Sequence, residues 1–345
     1  MKARNSTPRV TIVDVAEKAG VSLGTVSRVI NNDAHVAPDT RERVAVVMRE
    51  MGYVANRQAR SLKGSKTNVI GVLVPDLGTG YIGEIMRGID SELALSQLDL
   101  MLFTTHRAAI KEANYVANMV QGMVDGLLVV LPRNPTDYTG SLTRRNFPFV
   151  LIDHQGTGED CPAVGATNWQ GAYNATEYLI KLGHRRIGFI TGSMDLGCAI
   201  DRLDGYRSAL RTHHIPEALE LIYEGDFNQP DGYAGASVLL DLANPPTAIF
   251  VSNDVMAMGV MDAVRNRKMY IPEDISVLGF DNIPQSAMVF PPLTTVQQPL
   301  EQMGRVATQM LLDILKNPDK NVGRIELPTE LIVRDSTSVS KDRTG

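Results

Sequence analysis

Two periodicities divide this chain. Over residues 11–51 apolar positions recur at helical spacing, with no alternating strand pattern. Three helices are predicted there: 11–19; 23–31, behind Ser22 as N-cap; and 38–51, opening on Pro-Asp-Thr and stopping at Gly52. From about Asn68 a different unit repeats: a short β-branched or aliphatic run, a turn, then an amphipathic stretch. The runs are VIGVLV (69–74), LDLMLFTT (98–105), DGLLVVL (125–131), PFVLID (148–153), RIGFITG (186–192), LELIYEG (219–225), TAIFVS (247–252) and ISVLGF (275–280). Helical patterns between them include 82–95, 172–182, 203–212, 232–242, 256–267 and 301–315. Strands alternating with helices predict βαβ units and parallel sheets, and this many strands overload one open sheet. The expected fold class is α/β: an all-α helix-turn-helix head followed by two doubly wound parallel α/β subdomains.

Charge sharpens the division. The chain has 345 residues, 43% hydrophobic, 21% charged and 6% aromatic, with formal net charge -5, an ordinary globular balance. Residues 1–66 carry 12 Lys/Arg against 6 Asp/Glu, whereas the remainder carries 22 against 33. A basic head on an acidic body predicts that the head alone meets a polyanion; a merely solvated basic surface is the plain alternative. The two cysteines, Cys161 and Cys198, have no metal spacing, so a reducing, cytoplasmic location is expected. No apolar opening run suggests a signal peptide, and no stretch approaches the roughly 18 uncharged residues of a spanning helix.

The head carries the most specific spacing. In TIVDVAEKAGVSLGTVSRVIN, Ala16 is small where two helices must cross, and Gly20 sits where a tight turn needs positive φ. Val15, Ala19, Val21, Val26 and Val29 fall on inward faces. This is the helix-turn-helix pattern, whose second helix enters the major groove. Its outward positions are Leu23, Gly24, Ser27 and Arg28. Arg28 has the donors to read a guanine edge, while Thr11, Ser22, Thr25 and Asn31 are suited to phosphate contacts that fix register. The segment NRQARSLKGSKT (56–67) then places Leu62 between Arg60 and Lys63. It reads either as a basic linker or as a short helix wedging an apolar side chain into the minor groove.

In the body, several strands end in a polar residue or glycine: Pro75-Asp76, Asp153-His154, Gly192-Ser193, Asn253-Asp254 and Asp281-Asn282. Ligands of open α/β sheets sit beyond such ends, although Asp and Asn there also cap helices. The string Gly78-Thr79-Gly80-Tyr81-Ile82-Gly83 formally spells a dinucleotide fingerprint, but Pro75-Asp76-Leu77 separates it from the strand and Asp76 and Glu84 oppose a pyrophosphate. No HExxH, P-loop or CxxC appears, and the six histidines are scattered apart from His213-His214. Trp169 is expected to pack, His154 to pack or to bond a ligand, and the methionines, such as Met256, Met258 and Met261, to fill the core.

Together the motifs TIVDVAEKAGVSLGTVSRVIN, ARSLKG, VDGLLVV, IKLGHRRIGFITG, SNDVMAMG, ISVLGFDN and LTTVQQP resemble the LacI/GalR family of bacterial transcriptional regulators, from about Thr11 to Asp335. The resemblance implies a DNA-binding domain (1–55), a hinge helix and linker (56–67), and a periplasmic-binding-protein-like effector and dimerisation core (68–345). The core would comprise one subdomain of about 68–168 and 299–326 and another of about 169–296 and 327–340. It implies that Leu23, Gly24 and Arg28 hold the base-reading positions. Gly24 departs from the family by offering no side chain, and Leu23 offers only apolar contact with a thymine methyl. Leu62 resembles the hinge leucine that pairs with its dimer mate and kinks the DNA, and Lys63 its minor-groove neighbour. The effector set implied is Tyr81, Asp153, Arg202, Phe227, Asn253, Asp254 and Asp281. Carboxylates, an amide, a guanidinium and an aromatic wall suit a neutral polyhydroxylated ligand. Ile82 stands where a second aromatic would stack on a base, so a sugar is expected, with a purine-like corepressor as the alternative.

The expected protein is therefore a homodimeric, sugar-responsive repressor on a near-palindromic operator, with no cofactor, metal or membrane partner. The tail SVSKDRTG has no apolar heptad and suggests no coiled-coil tetramer. A solute-binding protein would share the body but needs export and has no use for residues 1–66. An α/β enzyme acting on sugars would need a catalytic pair that no motif supplies.

Overall fold

The computed structural model describes residues 10–30, 33, 35–53, 66–78, 80–154, 161–318 and 322–341. The chain divides into two compact units, Met1–Thr67 and Asn68–Gly345. In the first, α1 (Ile12–Ala19), α2 (Leu23–Ile30) and α3 (Pro38–Glu50) follow one another as the spacing predicts. Thr11 caps α1 reciprocally: the Asp14 N–H donates to Thr11 Oγ1 (3.3 Å), and the Thr11 N–H donates to Asp14 Oδ2 (2.7 Å). Gly20, at φ 64°, closes α1 in the left-handed conformation a side chain would resist. Val15, Ala16, Ala19, Val26, Val44 and Val47 form the core, with Val21 and Val29 packed against it. Asn31, Leu62 and Lys63 lie outside the described residues.

The second unit contains two six-stranded sheets. The first has the order β11-β5-β4-β3-β1-β2, from β1 (Val69–Val74), β2 (Asp99–Thr104), β3 (Gly126–Val130), β4 (Phe149–Ile152), β5 (Ala163–Ala166) and β11 (Arg324–Leu327). All its pairings are parallel. The second has the order β12-β10-β9-β8-β6-β7, from β6 (Ile187–Thr191), β7 (Ile222–Glu224), β8 (Ala248–Val251), β9 (Ser276–Asp281), β10 (Thr294–Gln297) and β12 (Glu330–Ile332). Here β12 pairs antiparallel with β10, so the expectation of purely parallel sheets is corrected at one edge.

Around the first sheet lie α4 (Gly80–Leu95), α5 (Ala109–Met119), α6 (Thr136–Arg144) and α11 (Leu300–Lys316). Around the second lie α7 (Asn168–Lys181), α8 (Gly197–Thr212), α9 (Gln229–Leu240) and α10 (Asp254–Asn266). Both faces of the first sheet are covered. Ile70, Val72 and Val74 pack with Ile85, Ile89, Met303 and Leu311 on one side, whereas Val69, Leu73 and Leu127 pack with Val116, Met119 and Tyr138 on the other. That two-sided burial explains the unbroken apolar runs. The chain passes between the sheets three times: between β5 and α7, between β10 and α11, and between β11 and β12. Close packing at α4–α11 depends on missing side chains. A Cβ on Gly88 would run into the Glu301 carbonyl, and one on Gly304 into the Ile85 carbonyl.

Candidate functional site

Each unit presents a candidate site. On the first, α2 turns Leu23, Gly24 and Arg28 to solvent, with Leu23 45% exposed although it is apolar. Thr25 and Ser27 are half-buried beside them. The Ser22 hydroxyl accepts the Thr25 N–H (3.1 Å) and lies 2.9 Å from the Thr25 hydroxyl, so it caps α2 as expected. Gly20-Val21-Ser22-Leu23-Gly24 also spells the GxSxG string of a nucleophile elbow, which the motif reading passed over. An elbow needs a strand before its serine, and here α1 precedes it. Thr11 and Ser22 thus have capping roles, with Thr11 exposed at the same end of the unit's first helix.

In the second unit, residues at the carboxyl ends of both sheets line a cleft with about 50 Å³ of free space. Its lining includes Tyr81 and Asp153 from the first sheet's side and Arg202, Phe227, Asn253 and Asp281 from the second's. The floor is a continuous buried network. The Tyr81 hydroxyl donates to Asp153 Oδ2 (2.7 Å), and the Asn168 amide donates to Asp153 Oδ1 (3.4 Å). The Asn168 carbonyl oxygen accepts from Arg202 Nε (2.8 Å). Arg202, 2% exposed, donates further to the Ser252 carbonyl, lies 3.6 Å from Asp281 Oδ1, and stacks 3.9 Å above the Phe280 ring. Burial pushes the Asp281 carboxyl up to about 7, against the opposing pull of Arg202 and of the amide hydrogen bond from Gln298 (2.8 Å). Burial likewise raises the Cys198 thiol, which faces the cavity as a protonated group.

Phe227 forms one wall. Its ring lies so close over Gly192 that a Cβ there would overlap it, which gives that strand-end glycine a reason. Asn253 serves two ends: its carbonyl oxygen caps α10 by accepting the Met256 N–H (2.9 Å), and its amide donates to the Phe227 carbonyl (3.3 Å). Five lining residues that are not glycine hold left-handed backbone: Arg107 (φ 59°), Leu131 (49°), Asp153 (55°), Phe227 (58°) and Asp281 (109°). Such conformations cost about 1–3 kcal/mol each and gather where function requires them.

One expectation is corrected. Asp254 is fully buried but absent from the cavity wall. Its carboxylate accepts the Ile283 N–H (2.9 Å) and the Thr295 hydroxyl (2.6 Å), joining α10 to the far side of the second sheet. Neither ligand contact nor helix capping describes Asp254, since Asn253 before it makes the cap on α10. His154 lines a different hollow, with Cys161 and Arg324, and burial lowers its pKa. Trp169 packs as expected, 40% exposed and stacked on Tyr173. The GxGxxG string is explained by contact: the Asp76 carboxylate accepts the Gly78 N–H (3.0 Å), and a Cβ on Gly80 would stand 2.5 Å from Gln285 Oε1.

Asp76, flagged as a strand end but left out of the effector set, is in the lining, and the motif reading missed Arg107, Leu131, Arg133, Leu196 and Cys198 there. Arg107 follows β2 and Arg133 follows β3, so the strand-end rule, applied to every strand, would have found them. Among the described residues no group of three metal-ligating side chains occurs, and no helix is long and apolar enough to cross a membrane.

Comparison with known proteins agrees with this architecture. The profile of bacterial regulatory proteins of the lacI family matches residues 11–56, and that of the periplasmic binding protein-like domain matches residues 176–337. The HTH-type transcriptional repressor CytR of Escherichia coli (strain K12) is 35% identical over 337 residues, 98% of this chain and 99% of the relative. Among solved structures, a lac repressor dimer bound to operator and the anti-inducer ONPF aligns at TM-score 0.81 and 29% identity, covering 95% of this chain and 99% of that one. A transcriptional regulator CelR–cellobiose complex aligns at TM-score 0.73 and 32% identity, covering 95% and 100%. With its three-helix head and its two-sheet body each in place, the chain belongs to the LacI family of bacterial regulatory proteins.

Proposed function

We propose that this chain is a cytoplasmic, homodimeric repressor that leaves a near-palindromic operator when a carbohydrate enters the cleft of its body. The observation that carries this reading is the convergence of Tyr81 and Asp153 with Arg202, Phe227, Asn253 and Asp281 on one cavity at the strand ends. Its carboxylates and guanidinium offer acceptors and donors to hydroxyls, and Phe227 offers an apolar face to a sugar ring. The cellobiose bound by the CelR regulator is consistent with that chemistry. A two-fold dimer places two recognition helices about one helical turn apart, hence the near-palindrome.

In this reading Leu23, Gly24, Ser27 and Arg28 face base edges. Thr11, Ser22, Thr25 and Asn31 sit near phosphates, and Leu62 and Lys63 enter the minor groove. Arg28→Ala is expected to cost about 1–3 kcal/mol of operator affinity and to relax discrimination at one base pair. Equal losses on operator and random duplex, measured by gel shift at one salt concentration, would contradict base reading.

Selecting bound duplexes from a random pool yields the operator, and repeating the gel shift with sugars and with nucleobases yields the effector and its direction. Release by a sugar is the expected result. The flat Phe227 face also suits a purine-like corepressor, and tighter DNA binding with a nucleobase alone would favour that reading instead.

A further inference from the structure

Above the polar floor, the mouth of the cavity is crossed by two arginines from the first sheet. Arg133, just after β3, reaches the second sheet's loops: its guanidinium donates to Asp195 Oδ2 (2.6 Å) and Asp226 Oδ1 (3.2 Å) and lies 3.5 Å from the Ser193 hydroxyl. Arg107, just after β2, donates to Asp76 on its own side (2.8 Å) and to the Asp226 carbonyl across the cleft (2.6 Å). Both ends of this span are anchored. The Arg133 N–H donates to the buried Glu112 carboxylate (3.2 Å), whose other oxygen accepts the Tyr138 hydroxyl (2.6 Å). The Asp226 N–H donates to Asp231 (2.8 Å). The Arg133 guanidinium is partly withdrawn from solvent, its side chain 16% exposed, while its partners Asp195 and Asp226 are each 45% exposed.

We infer that Arg133, with Arg107, is a clasp that shuts the effector cleft and limits its ligand to a single ring. This rests on the carbohydrate reading of the same cleft. The free space left among the lining side chains is about 50 Å³, whereas pockets for small ligands run to about 300–1,000 Å³, so a ligand must part the clasp and spread the cleft to enter. A ring held by Asp153, Arg202, Asn253 and Asp281 has a blind floor beneath it, closed by the Tyr81–Asp153–Asn168–Arg202 network and Cys198. A second ring reaching toward Arg107 and Arg133 would keep both arginines from their partners across the cleft. A single ring lets the clasp re-form over it.

The test uses the full chain, wild type and Arg133→Ala. Calorimetry with ribose, glucose and galactose, and with cellobiose, maltose and lactose, should show one-ring sugars binding the wild type at least about 10-fold more tightly than two-ring ones. Arg133→Ala should bring the two classes within about 3-fold. Equal binding of both classes by the wild type, or an unchanged ratio in the variant, overturns the size limit. Hydrogen exchange without ligand gives a separate reading: amides of residues 193–196 and 226–228 should exchange at least about 10-fold faster in Arg133→Ala. Unchanged exchange overturns the clasp. Asp195→Asn, which removes a partner on an exposed loop, serves the same measurements should Arg133→Ala fold poorly. If no sugar binds any form while exchange accelerates, the carbohydrate reading and the one-ring limit both fall and the clasp stands.

Discussion

Replacing Arg202 with methionine is expected to remove about 3–5 kcal/mol from the stability of the body and to leave the protein on its operator whatever sugar is added. The size of the effect follows from what stays behind. Asp281 loses the cation 3.6 Å away, and the Asn168 and Ser252 carbonyl oxygens lose their donor, all of them buried. Removing one partner of a buried pair strands the other, which costs more than the pair itself contributes. Against a total stability of about 5–15 kcal/mol, the loss is a large fraction. Trp169, the single tryptophan, lies on α7 within this unit and reports its unfolding in denaturant by fluorescence. The double variant Arg202→Met with Asp281→Leu should recover part of the loss, because an apolar pair leaves no charge unpartnered. A loss below about 1 kcal/mol in the single variant would contradict the network's role.

Asp281 should make the body less stable as pH rises from 4 to 8, and Asp281→Asn should flatten that trend. The carboxyl titrates near 7 when folded, against about 3.9 in an unfolded chain, because burial disfavours its charge. The raised value means the folded state holds the proton more tightly. Its stabilising contribution is therefore complete below about pH 3.9 and is lost as pH climbs through about 7. At about 1.4 kcal/mol per unit the span amounts to roughly 4 kcal/mol. The amide hydrogen bond from Gln298 to Asp281 opposes this shift without cancelling it, and it leaves the Gln298 carbonyl oxygen buried with no partner. A protonated carboxyl facing a turned Gln298 amide would satisfy that oxygen. Thermal unfolding at pH 5 and pH 8 should show the wild type losing several degrees more than Asp281→Asn; parallel changes would contradict the assignment.

What the sequence disclosed follows from where physics leaves a local trace. Strands buried on both faces, such as VIGVLV and TAIFVS, are continuous apolar runs, and they lie within one residue of their predicted ends at β1 and β8. The strands β5, β11 and β12 were illegible because AVGA, RIEL and ELI are three or four residues long and two of them are partly exposed. β10 was read only as part of a motif. α6 escaped because TDYTGSLTR is polar enough to pass for a loop, whereas α5, AIKEANYVANM, carried an apolar helical pattern that went unread.

The same logic holds at the site. Asp153, Asn253 and Asp281 were visible as polar residues at strand ends. Asp254 shared that signature, yet the decisive fact about it, two donors from Ile283 and Thr295, is a long-range contact that neighbouring residues do not encode. Arg107 and Arg133 look like ordinary loop cations until their partners 119, 62 and 93 residues away come into view.

The account's central claim is that ligand in the body and DNA at the head are linked, and by reciprocity each must alter the other's affinity by one factor. The direct measurement is the dissociation constant of the releasing sugar for the full-length protein, alone and saturated with operator, at one fixed salt concentration. The account predicts sugar binding weaker by about 5–150-fold on operator; the same affinity in both states would contradict it.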